Sequence, residues 1–343
     1  MKRYCRALVL TTGRDDKKPW WRDFIAFDQS RCQLDHQKIL LKNGKVRGVF
    51  SLRFAALAFQ VLSVLVRSRN RYHNILTVEC AWESFLVSLF QTLSGSRKPR
   101  HIIIQFIMRE KTQSLRSRIK YLFMRWCLSS VHLFVCSSRA EARYYQDVFG
   151  WPSSKICYVP NLIDPGLLER VPEKEEDYIM SAGRVFRDWG TLLDVSRRVD
   201  VPFVIVASPS SLDTRDVPPN VKIRYNIPGS EFIDLMARSL AVVLPLENRK
   251  ISIGQTVLLQ GMALGKAVIA TRVNGTEDYI EHMKTGILVP PNDPTALEAA
   301  ITTLVGDMEL RSRLGRAARD RVKQMHLPQH YANEIQAILS QAQ

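Results

Sequence analysis

The sequence predicts an α/β protein of parallel sheets with helices on both faces, divided into two domains. Three observations predict it. Short β-rich runs alternate with helix-period segments along the whole chain. The length of 343 residues fits about two domains. A stretch with three prolines and then a charge run, YVPNLIDPGLLERVPEKEEDY, sits near the middle as a linker would, placing a boundary near 160–177.

The expected strands, in order, are ALVLT (7–11), ILTVE (75–79), IIIQFI (102–107) and LFVCS (133–137) in the first half. YIMSA (178–182), FVIVA (203–207), VKIRY (221–225), AVVLPL (241–246), AVIAT (267–271) and GILVP (286–290) follow in the second. A last helix is expected over 329–343 after Pro328, packing on either half. The longest apolar stretch, LRFAALAFQVLSVLV at 52–66, is interrupted by Arg53 and Gln60 and is shorter than the ~20 residues that span a bilayer. The N-terminal apolar run leads straight into charge, unlike a signal peptide. A cytoplasmic protein, peripheral at most on the inner face of a membrane, is expected.

Charge is unevenly placed. Residues 1–150 hold 27 Lys/Arg against 10 Asp/Glu, a net of +17, whereas residues 151–343 are close to neutral at −1. A basic half attracts nucleic acid, an anionic membrane or a polyanionic substrate, or is simply a solvated surface. No nucleic-acid motif appears, so no nucleic-acid partner is expected. The six cysteines are scattered without a C-x-x-C pair, and His and Cys never approach ligand spacing, so neither a disulfide framework nor a zinc site is expected.

The second half carries the chemistry. In SAGRVFRDWGTLLDVSRRV (181–199) a strand ends at Ala182 and is followed by Gly183, Arg184 and Arg187. Glycine permits a tight exit from the strand, and the two guanidiniums are either a pyrophosphate clamp or surface arginines of a βα loop. In SIGQTVLLQGMALG the residues Ser252, Gly254, Gln255 and Thr256 stand where a helix begins. Free N–H groups and the dipole there favour a phosphate, although Ser252 or Thr256 as a simple N-cap is equally consistent.

These segments resemble the nucleotide-sugar-binding domain of retaining glycosyltransferases of family 4, whose GT-B fold has two Rossmann-like domains facing each other across a cleft. LLQGMALGKAVIAT, NGTEDYI…TGILVPPNDPTALEAAI and SAGRVFRDWGTLL carry the likeness over 178–325, and VCSSRAEARYYQDVFGWPSSKICYVPNLID (135–164) extends it. Residues 1–130 match only in βα rhythm. The resemblance implies an acceptor-side domain over 1–164, a nucleotide-sugar domain over 165–328 and a C-terminal helix over 329–343. It implies a hexosyltransferase that moves a sugar from a nucleotide-sugar donor to an acceptor hydroxyl with retention of configuration, in lipid-linked glycan or surface polysaccharide synthesis.

By the same resemblance Arg184, with Gly183, would contact the donor diphosphate. The family's lysine falls on Trp189, leaving Arg187 as the substitute cation. The family's paired glutamates fall on Ser252 and Gln260, which would face the donor sugar and its ribose without charge. Gly254, Gln255 and Thr256 would present N–H groups to the phosphate or sugar. Asp278 aligns with a further family carboxylate or serves as a cap. No Asp-x-Asp string occurs, so no metal or other cofactor is expected, with Arg and a helix dipole neutralising the leaving group. No residue is singled out as catalytic.

In that architecture the loop TTGRDDKKPWWRDF (11–24) would bring Gly13 and Arg14 to the acceptor side, with Trp20 and Trp21 stacking on a sugar, entering a lipid interface or packing the loop. TQSLRSRIKYLFMRWCLSS (112–130) is a basic amphipathic helix. Leu115, Ile119, Leu122, Phe123 and Trp126 lie on one face, and Arg116, Arg118, Lys120 and Arg125 lie around it. Either it lies on anionic lipid or it buries the apolar face in its own domain. The acceptor would then be a glycan or lipid-linked. The competing readings are a nucleotide-sugar epimerase of the same fold, which needs acid/base groups in which this chain is poor, and a catalytically weak basic binding module.

Overall fold

The computed structural model describes residues 5–13, 32–40, 52–170, 174–212 and 215–341. The chain divides into two compact units, residues 1–159 with 331–343, and residues 160–330.

The first unit is built on a six-stranded parallel sheet. Its strands are β1 (Cys5–Gly13), β2 (Cys32–Leu40), β3 (Asn74–Val78), β4 (Arg100–Ile104), β5 (Leu133–Cys136) and β6 (Ile156–Tyr158), in the order β2-β1-β3-β4-β5-β6. The central strands are apolar and buried, as strands covered on both faces must be. β2 and β6 are additions to the runs expected from sequence. β2 is an edge strand with half-buried Gln33 and Asp35, and β6 is three residues long. IIIQFI ends as a strand at Ile104, because Gln105 takes a left-handed φ of 51°.

Around this sheet lie α1 (Leu52–Ser68), α2 (Trp82–Ser94), α3 (Leu115–Cys127) and α4 (Arg139–Phe149). The Ser138 side chain accepts from Ala140 N and Glu141 N to start α4, and left-handed Gly150 ends it. Trp151 then stacks between Phe134 of β5 (4.0 Å) and Phe149 (4.2 Å), and Phe149 stacks on Tyr121 of α3 (5.3 Å). This aromatic stack pins α3 through its inward side. The last helix, α10 (Pro328–Gln341), buries Tyr331, Ala332, Ile335 and Leu339, and residues from 331 onward belong to the first unit.

The second unit has strands β7 (Ile179–Gly183), β8 (Phe203–Ala207), β9 (Val221–Tyr225), β10 (Ala241–Leu244), β11 (Ala267–Thr271) and β12 (Ile287–Val289). All pair in parallel in the order β12-β11-β10-β7-β8-β9. The chain winds outward from β7 to β9, then returns to β10 on the other side of β7. The connections after β7 and β10 therefore lead to helices on opposite faces, a Rossmann-like switch point where open α/β sheets take their ligands.

Helices α5 (Trp189–Ser196), α6 (Gly229–Arg238), α7 (Gln255–Ala263), α8 (Pro294–Gly306) and α9 (Met308–Met325) cover the faces. α7 is held from both sides. A Cβ on Gly261 would lie 3.2 Å from Val268 and 3.4 Å from Val242, so the helix sits directly on β10 and β11. A Cβ on Gly315 of α9 would lie 2.0 Å from the Gly265 carbonyl oxygen just beyond α7. These close approaches fix how α7 sits against β10, β11 and α9.

Candidate active site

Three loops at the carboxyl edge of the second sheet carry most of the residues singled out in the sequence. The first leaves β7. Gly183 takes a φ of +156°, and a Cβ there would fall 2.2 Å from Arg187 Nε. That space is filled by the Arg187 guanidinium, whose Nε donates to Ala182 O (2.9 Å) and whose Nη1 donates to Val185 O (3.1 Å). Burial lowers Arg187 to about 10, still cationic at neutral pH. Arg187 thus braces the strand exit, with two of its donors held by backbone. Arg184, at the tip of the same loop, is exposed and makes no ion pair with a described residue.

The second loop leaves β10 and is stitched to the first. Arg187 and Leu246 form an isolated antiparallel bridge, Glu247 N donates to Phe186 O (3.2 Å) and Asp188 N donates to Pro245 O (3.0 Å). Phe186 has a φ of +56°, a conformation that costs a non-glycine residue about 1–2 kcal/mol. Arg249, ion-paired with Glu247, lies 4.8 Å over the Phe186 ring and helps hold it. These contacts join the two loops of the switch point into one piece. Neither Phe186 nor the Glu247–Arg249 pair stands out in sequence, because the strained φ and the ring contact are tertiary features.

The loop ends at Gly254, with φ +84°, as the N-cap of α7. A Cβ there would meet the Leu246 methyls at 3.1 and 3.2 Å. Lacking a side chain, Gly254 gives no side-chain cap to the first N–H groups of α7, which leaves them for another acceptor. The simple N-cap by Ser252 or Thr256 is therefore not what is observed. Thr256 is exposed in the first turn and Gln260, one turn on along the same face, is half-buried. Ser252 is buried.

Gln255 is buried too, and its Nε2 donates to Gly275 O (3.3 Å) in the third loop, which leaves β11. Gly275 has φ +96°, and a Cβ on it would fall 2.1 Å from Gln255 Nε2 and 3.2 Å from Ser252 Cα and Cβ. The segment NGTEDYI carries part of the likeness seen in the sequence, but Gly275 itself is not singled out there, because its close approach to Gln255 and Ser252 is a tertiary feature. Thr276 locks that turn, with Oγ1 donating to Thr271 O (2.8 Å) and accepting from Val273 N (3.0 Å). Asp278, half-buried in the same loop, has its backbone oxygen 3.4 Å from Arg321 Nη2.

Trp189, at the position of the expected lysine, is the first residue of α5 and is buried in the core of the second unit. Asp188 caps that helix by accepting from Thr191 N (3.1 Å). The motif VPNLID is structural: Asn161 N donates to the Tyr279 hydroxyl (3.0 Å), Asn161 O lies 2.8 Å from His326 Nδ1, and Tyr279 stacks on His326. Burial holds His326 down at about 4, so its ring is neutral at neutral pH.

Residues 183–307 match the family model of the glycosyl transferases, group 1. The matched stretch runs from the last residue of β7 through α8 and contains all three loops. Over 153 residues, 41% of this chain, the sequence is 29% identical to the D-rhamnosyltransferase WbpZ of Pseudomonas aeruginosa. Over 158 residues, 44% of the chain, it is 27% identical to the O-antigen chain mannosyltransferase C of Escherichia coli. These matches span 39% and 42% of the two relatives, so the chain matches less than half of their length. In fold it is similar to Anabaena HepE, solved in complex with UDP, with a TM-score of 0.68 and 13% identity over 98% of this chain and all of that one. The fold is thus GT-B, with two α/β, Rossmann-like units.

In the first unit, Gly13 ends β1, while Arg14, Trp20 and Trp21 lie outside the described residues. The helix expected within 112–130 forms as α3, with its apolar face exposed: the buried side chains are Tyr121, Met124 and Cys127. Among the described residues no group of three or more His, Cys, Asp or Glu is placed to hold a metal, and no helix is long and apolar enough to cross a membrane.

Proposed function

We propose that the chain is a retaining hexosyltransferase of family 4 that moves a sugar from a nucleotide-sugar donor to an acceptor hydroxyl at a cytoplasmic membrane face, in the synthesis of a lipid-linked glycan or surface polysaccharide. The observation that carries this reading is the joined pair of loops at the β7/β10 switch point. There an exposed arginine and an uncapped helix N-terminus meet an anion from protein groups that are already in place.

In this reading the first unit receives the acceptor and the second holds the donor. Arg184 binds the donor diphosphate as a charge-assisted partner, and the N–H groups of Gln255 and Thr256 complete the cradle without calling on a metal. Arg187 contributes positive potential from beneath while bracing Gly183. Gln260 offers neutral hydrogen bonds to the ribose, and Ser252 shapes the sugar end. The bond from the anomeric carbon to the diphosphate oxygen breaks as the acceptor oxygen bonds to that carbon on the same face. The acceptor proton goes to the departing phosphate. The protein's part is positioning and charge stabilisation.

Titration with UDP, GDP and ADP and their sugars tests this, beginning with UDP, which HepE holds. Binding of one nucleotide sugar, and transfer with retained anomeric configuration by NMR, are expected. Arg184→Ala is expected to weaken nucleotide diphosphate binding about ten- to a hundredfold, the scale of lost hydrogen bonds to a charged group. Unchanged affinity would remove Arg184 from the site. Conversion of the donor alone to an epimer would favour the epimerase reading.

A further inference from the structure

The outward face of α3 is left largely exposed, touching α2 only along one edge. Leu115, Ile119, Leu122, Phe123 and Trp126 are 47–72% exposed and fall in one stripe about 100° wide. The opposite side of the helix, Tyr121, Met124 and Cys127, supplies the buried contacts, so exposure of the stripe is not a failure of the helix to dock. Arg116 and Lys120 flank the stripe on one side, Arg118 and Arg125 on the other, and all four are exposed.

The stripe continues onto α2 and α1. Ring contacts run from Trp126 to Phe123 (6.0 Å), Phe85 (6.2 Å), Trp82 (6.1 Å) and Phe54 (5.3 Å). α1 buries Leu57, Val61, Val64 and Leu65 and exposes a second apolar row, Phe59, Leu62 and Val66. Beside α3 lies an open cavity of about 520 Å³ into which Lys111, Arg118 and Arg125 face beside Leu122. No carboxylate is among its described lining residues.

We propose that the α1–α2–α3 face of the first unit docks on an anionic phospholipid bilayer, with the apolar stripe in the interface and a lipid phosphate in the cavity bounded by Lys111, Arg118 and Arg125. The charge pattern selects this occupant. Cations on both flanks of an exposed apolar stripe suit a surface that is apolar beneath and anionic at the headgroups. A second copy of the chain would set one first half of net charge +17 against another. Such docking would bring the transferase to a lipid-linked acceptor, and to that extent rests on the transferase reading; lipid binding itself does not.

The test is co-flotation of the full chain with vesicles of phosphatidylglycerol and phosphatidylcholine, and of phosphatidylcholine alone, at about 0.1 and 0.5 M salt. The wild type is expected on anionic vesicles, weakened by salt, and inorganic phosphate at millimolar concentration is not expected to displace it. A Leu122→Glu/Trp126→Glu variant should bind at least about tenfold more weakly. Arg118→Ala/Arg125→Ala should lose about tenfold on anionic vesicles and nothing on neutral ones. All substituted positions are exposed, and an unchanged melting temperature with retained UDP binding shows that each variant is folded.

Wild type absent from anionic vesicles, or both variants floating as well as wild type, would overturn the proposal. So would displacement by free phosphate, or self-association of the wild type that Leu122→Glu/Trp126→Glu abolishes. Loss of flotation with intact UDP binding in a variant locates the lipid surface. Flotation by a wild type that binds no nucleotide sugar would overturn the transferase reading and leave docking standing.

Discussion

The two units share one architecture and use it in opposite ways. In the second, the apolar faces of the helices are spent on the sheet, and the exposed features are polar groups gathered where β7 and β10 part. In the first, α3 and α1 each have two apolar rows, one buried and one facing out beside cations. The difference teaches where specificity resides. Close approaches at Gly183, Gly254 and Gly275 fix the loops of the proposed donor site in one unit, while an extended exposed surface marks the other.

The largest break in that contrast should come from Gly275. Its φ of +96° and the 2.1 Å approach of Gln255 Nε2 leave no room for a side chain. Gly275→Val adds left-handed strain of about 1–2 kcal/mol and pushes Gln255, the first residue of α7, and Ser252 aside. Nucleotide affinity should fall about a hundredfold, the scale of a misplaced binding geometry. Lipid flotation, proposed for the other unit, should not change. Calorimetric titration alongside flotation checks both, and a variant with wild-type affinity would show that the third loop does not shape the donor site.

How much of this was legible before the fold was known follows from the kind of signal involved. Strands β7, β8, β10 and β11 are continuous apolar runs and announce themselves. β2 does not, because an edge strand with Asp35 and Gln33 half-buried need not be apolar. The helix over 112–130 was readable, but its orientation was not. Both the Leu115–Trp126 stripe and the smaller Tyr121–Met124–Cys127 set repeat at helical spacing, and only packing against Phe149 decides which goes inside. Arg184 and Arg187 looked alike in sequence. The glycine before them made room for one to fold back onto backbone oxygens while the other stays in solvent.

A second contrast concerns buried imidazoles. His101 in β4 is fully buried between the Thr77 hydroxyl (2.8 Å) and the Ser88 hydroxyl (3.2 Å), and burial pulls it down to about 3. In the unfolded chain it titrates near 6.5. Below that value the unfolded state binds a proton that the folded state refuses, so stability falls as pH drops from about 6.5 toward 3 and is level above 6.5. The slope is about 1.4 kcal/mol per pH unit for this residue. His326 adds a similar loss in the second unit down to about pH 4. Urea melts between pH 7 and 5 should show His101→Gln less stable at pH 7 but losing about 2 kcal/mol less than the wild type across that range, and an equal loss would mean that the ring is protonated in the fold.

The smallest expected effect is the sharpest test of how the anion is held. Thr256 is exposed in the first turn of α7, whose N-cap Gly254 offers no side chain to its backbone N–H. If the helix N-terminus does the binding, Thr256→Ala keeps the N–H and the dipole and should change nucleotide affinity by less than about threefold. Thr256→Pro removes the same N–H at a position in the first turn where proline is tolerated, and should cost more than the alanine variant, about five- to tenfold. The order of the two variants carries the information. Equal losses in the two variants, both of which lack the hydroxyl, would shift the binding from the backbone to the hydroxyl, and the second unit's site would then depend on side chains as much as the first unit's surface does.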